Sequence, residues 1–424
     1  MSQNSSRHVA IIGAGAIGAV SAIEILRDGH RVTIIEPARP GNEQASSYGN
    51  AGWLSSHSVI PPATPGAWKH VPGYLADPLG PLSIRWSYLP KVLPWLIQYL
   101  GSGRTEGRVK ETARALRELL RDAPALHKAL SEEAGVSHLI ERLGVMHVYK
   151  SRAQFEEDRF GWDIRKSLGI DWLEVSEDEM RQREPDLDPS YKFGIVVEEA
   201  GRCRDPGGYV GALAALAQVR GASMVSASAK TLRVENGKAV AVVTDKGEIA
   251  CDAVVIAAGA RSKQLSSSIG DNLPLETERG YHLMIENAEA GPRMTCMHGE
   301  GKFVVNPMDK GLRCAGQVEI GGLEAAPNWK RADILRNHLL EMYPKLPRDI
   351  PADRIRYWMG FRPSMPDGRP CIGYARSTSD VVYAFGHGHI GLVGSARTGR
   401  LVAQLISGRE PEIPLSPFDP RRYL

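Results

Sequence analysis

Three glycines, Gly13, Gly15 and Gly18, sit at G-x-G-x-x-G spacing within VAIIGAGAIGAVSAIEILRDGHRVTIIE, Val9 to Glu36. The first suits a tight turn, the second lets backbone amides approach a pyrophosphate, and the third lets a helix pack closely on a strand. Ala16 and Ile17 open that helix at the phosphate position. Glu36 ends the unit with a carboxylate, which accepts two hydroxyl hydrogen bonds from a ribose diol and repels a 2′-phosphate. A second chemistry is offered far downstream by Arg362, in GFRPSMPDGRPCIG. Its planar guanidinium presents paired donors that match a carboxylate. The alternative for Arg362 is structural, a pairing with Asp367 or with a loop carbonyl.

The elements needed to position these groups are readable. Val9 to Ile12 is an apolar, β-branched run of the kind buried on both faces of a parallel sheet. The helical spacing that follows stops at Asp28-Gly29, and Arg31 to Ile35 reads as a second strand. Strand, glycine turn, helix, strand and terminal carboxylate in one βαβ unit specify dinucleotide binding, without separating FAD from NAD. DPGGYVGALAALAQVRGASMV reads as a helix opening after Asp205-Pro206, then a strand. TLRVENGKAVAVVTDKGEIACD reads as a hairpin around Asn236-Gly237. AVVIAAGARS is an apolar strand ending in small residues, Ala257, Ala258 and Gly259, placed to close over the dinucleotide. Near the end, Val381 to Phe385 reads as a strand, followed by a glycine loop and a small-residue helix beginning near Gly391. Such a helix aims free amides and a positive dipole end at an anion.

At 424 residues the chain is long enough for two or three domains. A net charge of +3, with no Lys/Arg-rich block, gives no footprint for nucleic acid. Five cysteines, an odd number without C-x-x-C spacing, argue against a disulfide framework or a zinc site and for a reducing compartment. His387 and His389 form H-x-H in a glycine-rich stretch without a third ligand nearby, so no metal is expected. The polar start MSQNSSRH is not a secretory signal, and no run of about twenty apolar residues predicts a bilayer span. Ile84 to Leu100, IRWSYLPKVLPWLIQYL, has two readings: bent helical turns covering the core, or an amphipathic surface docking on a membrane with Trp86, Trp95 and Tyr99 at the interface.

Four motifs together carry a family resemblance: GAGAIG with Glu36, VVIAAGARS, GFRPSMPDGRPCIG and GHGHIGL, in that order over nearly the whole chain. In this the sequence resembles the FAD-dependent D-amino-acid oxidase superfamily, and within it the small-subunit type of bacterial D-amino-acid dehydrogenase. The resemblance implies an α/β fold: a FAD-binding, Rossmann-like, doubly wound domain from 1–58, 192–270 and 355–424. A second, α+β substrate-binding domain from 59–191 and 271–354 is inserted discontinuously.

The resemblance also implies site residues. Ser47, Asn50, Ala51 and Gly52 match an S-x-x-N-A-G run beside the flavin, with Leu54 following. Lys230, Ala258 and Gly259 belong to the cofactor set, and the backbone of Gly391, Leu392 and Val393 is expected at the flavin's pyrimidine edge. Many relatives carry Thr where Val393 stands, so one side-chain hydrogen bond is missing here. Relatives with covalent flavin use a Cys just before the P-D pair. Gly360 stands near that place and Cys371 lies after the pair, so noncovalent FAD is expected. Arg362 is the implied substrate residue. Tyr281, in ERGYHL, resembles a tyrosine of the site wall, with a core tyrosine as its alternative. His57 either lines the pocket or lies at the surface.

The implied reaction is oxidative deamination of a D-amino acid, with hydride leaving Cα for flavin N5 and electrons passing to a quinone or other electron carrier. A cytoplasmic location follows, with peripheral contact at the inner face of the cell membrane if 84–100 docks there. The alternatives are a glycine/sarcosine- or D-proline/hydroxyproline-type amine oxidase or dehydrogenase, a non-catalytic flavin-binding regulator, and a flavoenzyme acting on tRNA. The complete motifs and Arg362 disfavour the regulator, and the absence of a basic groove signal disfavours the last.

Overall fold

Val9, Ala10, Ile11 and Ile12 have no polar face to offer water, and the chain buries all four at the centre of a sheet. In a computed structural model, which describes residues 6–66, 73, 80 and 82–424, this strand, His8–Ile12, is flanked on both sides. The sheet has six strands, in the order Ser223–Val225, Arg31–Ile35, His8–Ile12, Ala253–Ile256, Val381–Phe385 and Cys371–Tyr374. All neighbours are parallel except the last pair. Val9 and Ile11 face a core built with the helices Ala16–Arg27, Pro206–Val219 and Ser395–Ile406. Ala10 and Ile12 face the other way, onto the antiparallel meander Ala229–Glu235, Lys238–Thr244 and Gly247–Ala250. Covering both faces is what lets a sheet of this kind stay uniformly apolar. Of the polar N-terminal stretch, residues 1–5 lie outside the described residues.

The other half is a nine-stranded, largely antiparallel sheet. Its path runs Ile355–Ser364, Glu276–Glu286, Gly311–Ile320, Val304–Met308, Thr295–His298, Val145–Tyr149, Phe193–Val197 and Leu173–Val175, with Leu82–Ile84 beside Gly311–Ile320. The helix Lys330–Met342 covers Tyr281, Leu283 and Ile285 with Leu335, Leu339 and Met342.

Three expectations need correcting. Phe193–Val197 and Ile355–Ser364, assigned by sequence to the dinucleotide segments, hydrogen-bond into the large sheet. Ile355–Ser364 pairs with Glu276–Ile285 residue for residue from Glu276↔Ser364 to Ile285↔Ile355, a ladder that local sequence does not reveal. The terminal helix begins at Ser395, not at Gly391. Gly391 to Gly394 form a turn in which Gly394 N–H donates to Ile390 O and Ser395 N–H to Leu392 O, as two glycines in four residues disfavour helix. In the segment 84–100, Leu89–Ser102 is one helix with Pro94 inside it. Trp95, packed with Val92 and Ile320, is buried and stacks on Tyr99 at 5.1 Å, so these two rings turn toward the protein. The outward face instead carries Trp86, Leu93 and Ile97, which are 72%, 48% and 63% exposed. Among the described residues, no helix is long and apolar enough to cross a membrane.

The tightest joint of the dinucleotide half is at Gly18. A Cβ there would lie 1.9 Å from Gly13 O, so helix and strand cannot keep their spacing with a side chain between them. Gly18→Ala should therefore cost about 1–3 kcal/mol of stability, read as a lower thermal unfolding midpoint. An unchanged midpoint would mean that the helix shifts away without penalty.

Candidate active site

The two sheets meet around a cavity of about 910 Å³, near the upper end of the roughly 300–1,000 Å³ usual for ligand sites. One end is built by the βαβ unit. Gly13 turns at φ +104°, and a Cβ on it would sit 2.5 Å from Ala257 O, so only glycine lets the ends of two parallel strands close together. Glu36 leaves the end of Arg31–Ile35 and accepts from the Ala14 N–H at 2.9 Å, which fixes one carboxylate oxygen over the turn. Ala16 N–H donates to Ser47 Oγ at 3.2 Å at the N-terminus of the first helix, whose positive end suits phosphate. Gly13, Gly15, Ala16, Ile17, Glu36, Ser47, Asn50, Ala51, Lys230, Ala258, Gly259, Gly391, Leu392 and Val393 all border the cavity. Gly18, Gly52 and Leu54 do not. Gly18 packs the helix. Gly52, at φ +72°, makes the turn whose N–H donates to Asn50 Oδ1 at 2.8 Å, and Leu54 is buried in the short strand Trp53–Leu54.

The loop carrying Ser47 to Gly52 is gripped from the large sheet by residues that no sequence motif announced. Arg313 donates from Nη1 to Tyr48 O at 3.0 Å and to Asn50 O at 2.6 Å. Burial lowers its pKa to about 10, still far above neutral, so the guanidinium stays charged. Asn306 Nδ2 donates to Ala51 O at 2.8 Å, and His282 Nδ1 lies 3.1 Å from Gly49 O. The Trp358 indole stacks on His282 at 5.1 Å between two glycines. A Cβ on Gly49 or on Gly360 would each come within 1.9 Å of its ring. Gly360, read from sequence only as the place without a Cys, is thus the space that seats Trp358.

At the other end stands Arg362, half-buried on the cavity wall. Its guanidinium lies across Gly280, where a Cβ would come within 2.4 Å of Cζ. Nη1 donates to Gln317 O at 3.1 Å, one bond for a group with five N–H donors. Burial lowers the Arg362 pKa, and Glu278, its register partner on the neighbouring strand, partly offsets that. Asp367 is engaged by Arg369 and Arg422 instead, so the Asp367 pairing does not form while the carbonyl contact does.

The other two substrate-side expectations fare differently. Tyr281 borders the cavity, but its hydroxyl donates to Glu319 Oε2 at 2.5 Å and accepts the Asn328 N–H at 3.0 Å. It is the satisfied core tyrosine of the alternative reading. Glu319 also pairs with Arg85 at 2.8 Å and Arg279 at 3.3 Å. Fully buried Arg279 then holds the rim loop through Gly322 O, Ala325 O and Ala326 O, with Leu323 of that loop on the cavity wall. His57 is neither at the surface nor in the wall. It is fully buried one layer behind Trp53, with Nε2 2.9 Å from His147 Nε2, and burial pushes its pKa well below the usual value. His387 Nε2 lies 3.1 Å from Thr398 Oγ1, whereas His389 opens into the cavity.

FAD fits this shape. The cavity runs without a break from Glu36, past the glycine turn, to the backbone of Gly391–Val393. Trp53 also borders the cavity, with its Nε1 turned away from the open space and without a hydrogen-bond partner among the described residues.

Comparison with known proteins gives the same picture. The family model described as FAD dependent oxidoreductase (DAO) matches residues 8–405. A protein of Bradyrhizobium diazoefficiens named D-amino-acid oxidase is 71% identical over 418 residues, covering 99% of each chain. One of Rhizobium rhizogenes named D-amino acid dehydrogenase is 29% identical over 426 residues, covering 98% of this chain and 99% of that one. Among solved structures, glycine oxidase of Geobacillus kaustophilus superposes with a TM-score of 0.73 at 22% identity over 99% of both chains. L-amino acid deaminase of Proteus vulgaris gives 0.74 at 17%, covering 99% of this chain and 97% of that one.

If the Glu36 carboxylate holds the ribose diol, Glu36→Ala removes those acceptors at a cost of roughly 1.5–3 kcal/mol. The variant should lose flavin on dilution and gel filtration, followed by its visible absorbance. Flavin affinity equal to the native protein's would place the ribose elsewhere.

Proposed function

The chain belongs to the FAD-dependent oxidoreductase family and is an oxidoreductase of CH–NH2 donors, and on that premise we propose that it oxidises free D-amino acids. The products are imino acids, which water hydrolyses to 2-oxo acids and ammonia. FAD supplies the hydride acceptor when bound, and the chain's own residues do the positioning. Arg362 carries this reading. A charged fork with a single protein acceptor, set in a wall that also includes Gly280, Gly316, Val304, Val318 and Leu323, suits a carboxylate on a small molecule. Held there, the substrate has one fixed orientation, and the surrounding apolar wall excludes water. Gly391, Leu392 and Val393 supply backbone groups at the far wall, where a negative charge that develops on the cofactor would be met. We take the cofactor to be noncovalent, since all five cysteines are buried and none borders the cavity.

For the electron acceptor, the 71% relative's name supports oxygen. A second reading, an electron carrier in a membrane, is supported by the exposed stripe of Trp86, Leu93 and Ile97 and by the dehydrogenase names of relatives near 29%. D-amino-acid turnover with hydrogen peroxide released in step with 2-oxo acid is the expected result. Peroxide well below the 2-oxo acid, with turnover raised by quinone-loaded vesicles, would give the second reading the place of the first.

The substrate clamp has its own test. Arg362→Ala leaves the carboxylate without a partner, a loss of roughly 2–5 kcal/mol, or about thirty-fold to several-thousand-fold in kcat/KM. Arg362→Lys keeps the charge but not the fork and should fall between. FAD content should stay normal in both. Native efficiency in Arg362→Ala would put the clamp at another residue.

A further inference from the structure

A free amino acid meets this site as a zwitterion, yet hydride cannot readily leave the α-carbon of an ammonium, whose nitrogen has no lone pair to stabilise the developing cation. Something must take the proton. Among the described residues, most titratable groups on the cavity wall near Arg362 are spoken for. The Tyr281 hydroxyl is held by Glu319, Lys302 pairs with Asp158 at 2.8 Å, and His387 lies against Thr398. His389 has no such engagement and opens into the cavity.

Its position relative to Arg362 is set by the backbone. An antiparallel bridge joins Ser364 to His387. The chain then turns through the short 3-10 helix Gly388–Ile390, which packs against Ile355–Ser364 and so carries His389 beside the strand that bears Arg362. The charge of Arg362 is felt at the imidazole, which burial and that charge together bring to a pKa of about 4. The groups around it are few. Arg362 and Glu278 come from the strand pair and His387 from the chain just before the turn; Tyr281 and Lys302 line the same cavity. The histidine is therefore neutral and ready to accept.

We propose that His389 takes the proton from the ammonium group of the substrate whose carboxylate Arg362 holds, an inference that rests on the D-amino-acid reading above. One N–H bond of the ammonium breaks, its electron pair stays on the amine nitrogen, and the proton joins a ring nitrogen of His389. After the product leaves, the imidazolium returns it to water. Carboxylate binding drives the transfer. It neutralises the Arg362 charge that had disfavoured imidazolium and sets an anion beside the ring, while the dry cavity disfavours the ammonium. The two groups' pKa values move toward each other.

The test compares the native holoenzyme with His389→Asn and His389→Gln, after checking that FAD content is unchanged. Native kcat/KM for a D-amino acid should be flat from about pH 6 to the substrate's amine pKa, because the free imidazole titrates far below that range. In the variants only the neutral amine is productive, so kcat/KM should rise roughly tenfold per pH unit over the same span. A readout independent of turnover uses 2-aminoisobutyrate, which has no α-hydrogen. Near pH 8 the native protein should bind it without net proton release, whereas the variants should release a proton to the buffer for each ligand bound or bind it far more weakly. Superimposable pH profiles and equal proton release would overturn the role of His389. Failure of the native protein to oxidise any D-amino acid would instead overturn the reading beneath it.

Discussion

The seam between the two sheets depends on a buried cation whose partners are dipoles. Arg313 has no carboxylate within ion-pair distance among the described residues, and it spends its charge on the carbonyls of Tyr48 and Asn50. Charge-assisted bonds of this kind are stronger than neutral ones, and leaving a buried guanidinium unbonded costs far more than either. The loop Ser47–Gly52 is therefore fixed to the large sheet although its sequence belongs with the dinucleotide unit. Ser47 meets the N-terminus of the first helix at one end of that loop, and Gly52 hands the chain to Trp53 at the other. If the loop drifted, the cavity would lose the surface that joins its phosphate end to its substrate end.

That arrangement explains which parts were legible in sequence. The glycine turn, Glu36 and the strand ending at Ala257 were readable because each role is enforced within a few residues. Backbone approach requires glycine, and a parallel strand buried on both faces requires an unbroken apolar run. Arg313, Asn306, His282 and Trp358 were not, because each acts on a loop more than two hundred residues away in sequence. His57 shows the opposite failure. SSYGNAGWLSSHS is polar and glycine-rich, as a surface loop would be, yet Ser55, Ser56 and His57 are buried, with Ser55 bonded to His57 and Ser58, and His57 set against His147. Tyr281 was placed on the right wall but with its polar end the wrong way, since Glu319, its acceptor, lies on the neighbouring strand.

The substrate half works by subtraction. Gly280 has no side chain because Arg362 lies where one would be, and Gly360 and Gly49 have none because Trp358 does. In each case the large group is held by the absence of a neighbour as much as by its own bonds, which is how a sheet presents a bulky polar residue without bending. The cation and the ring then stand at positions set by backbone register.

The rim loop has a consequence for how firmly the cavity wall is set. Arg279 holds three of its carbonyls, and Tyr281 takes its Asn328 amide, all from within the large sheet. Swinging that loop outward would strip a buried guanidinium of most of its acceptors at once. Leu323 therefore stands in the cavity wall where the large sheet sets it, and that part of the wall moves only if several buried hydrogen bonds break together.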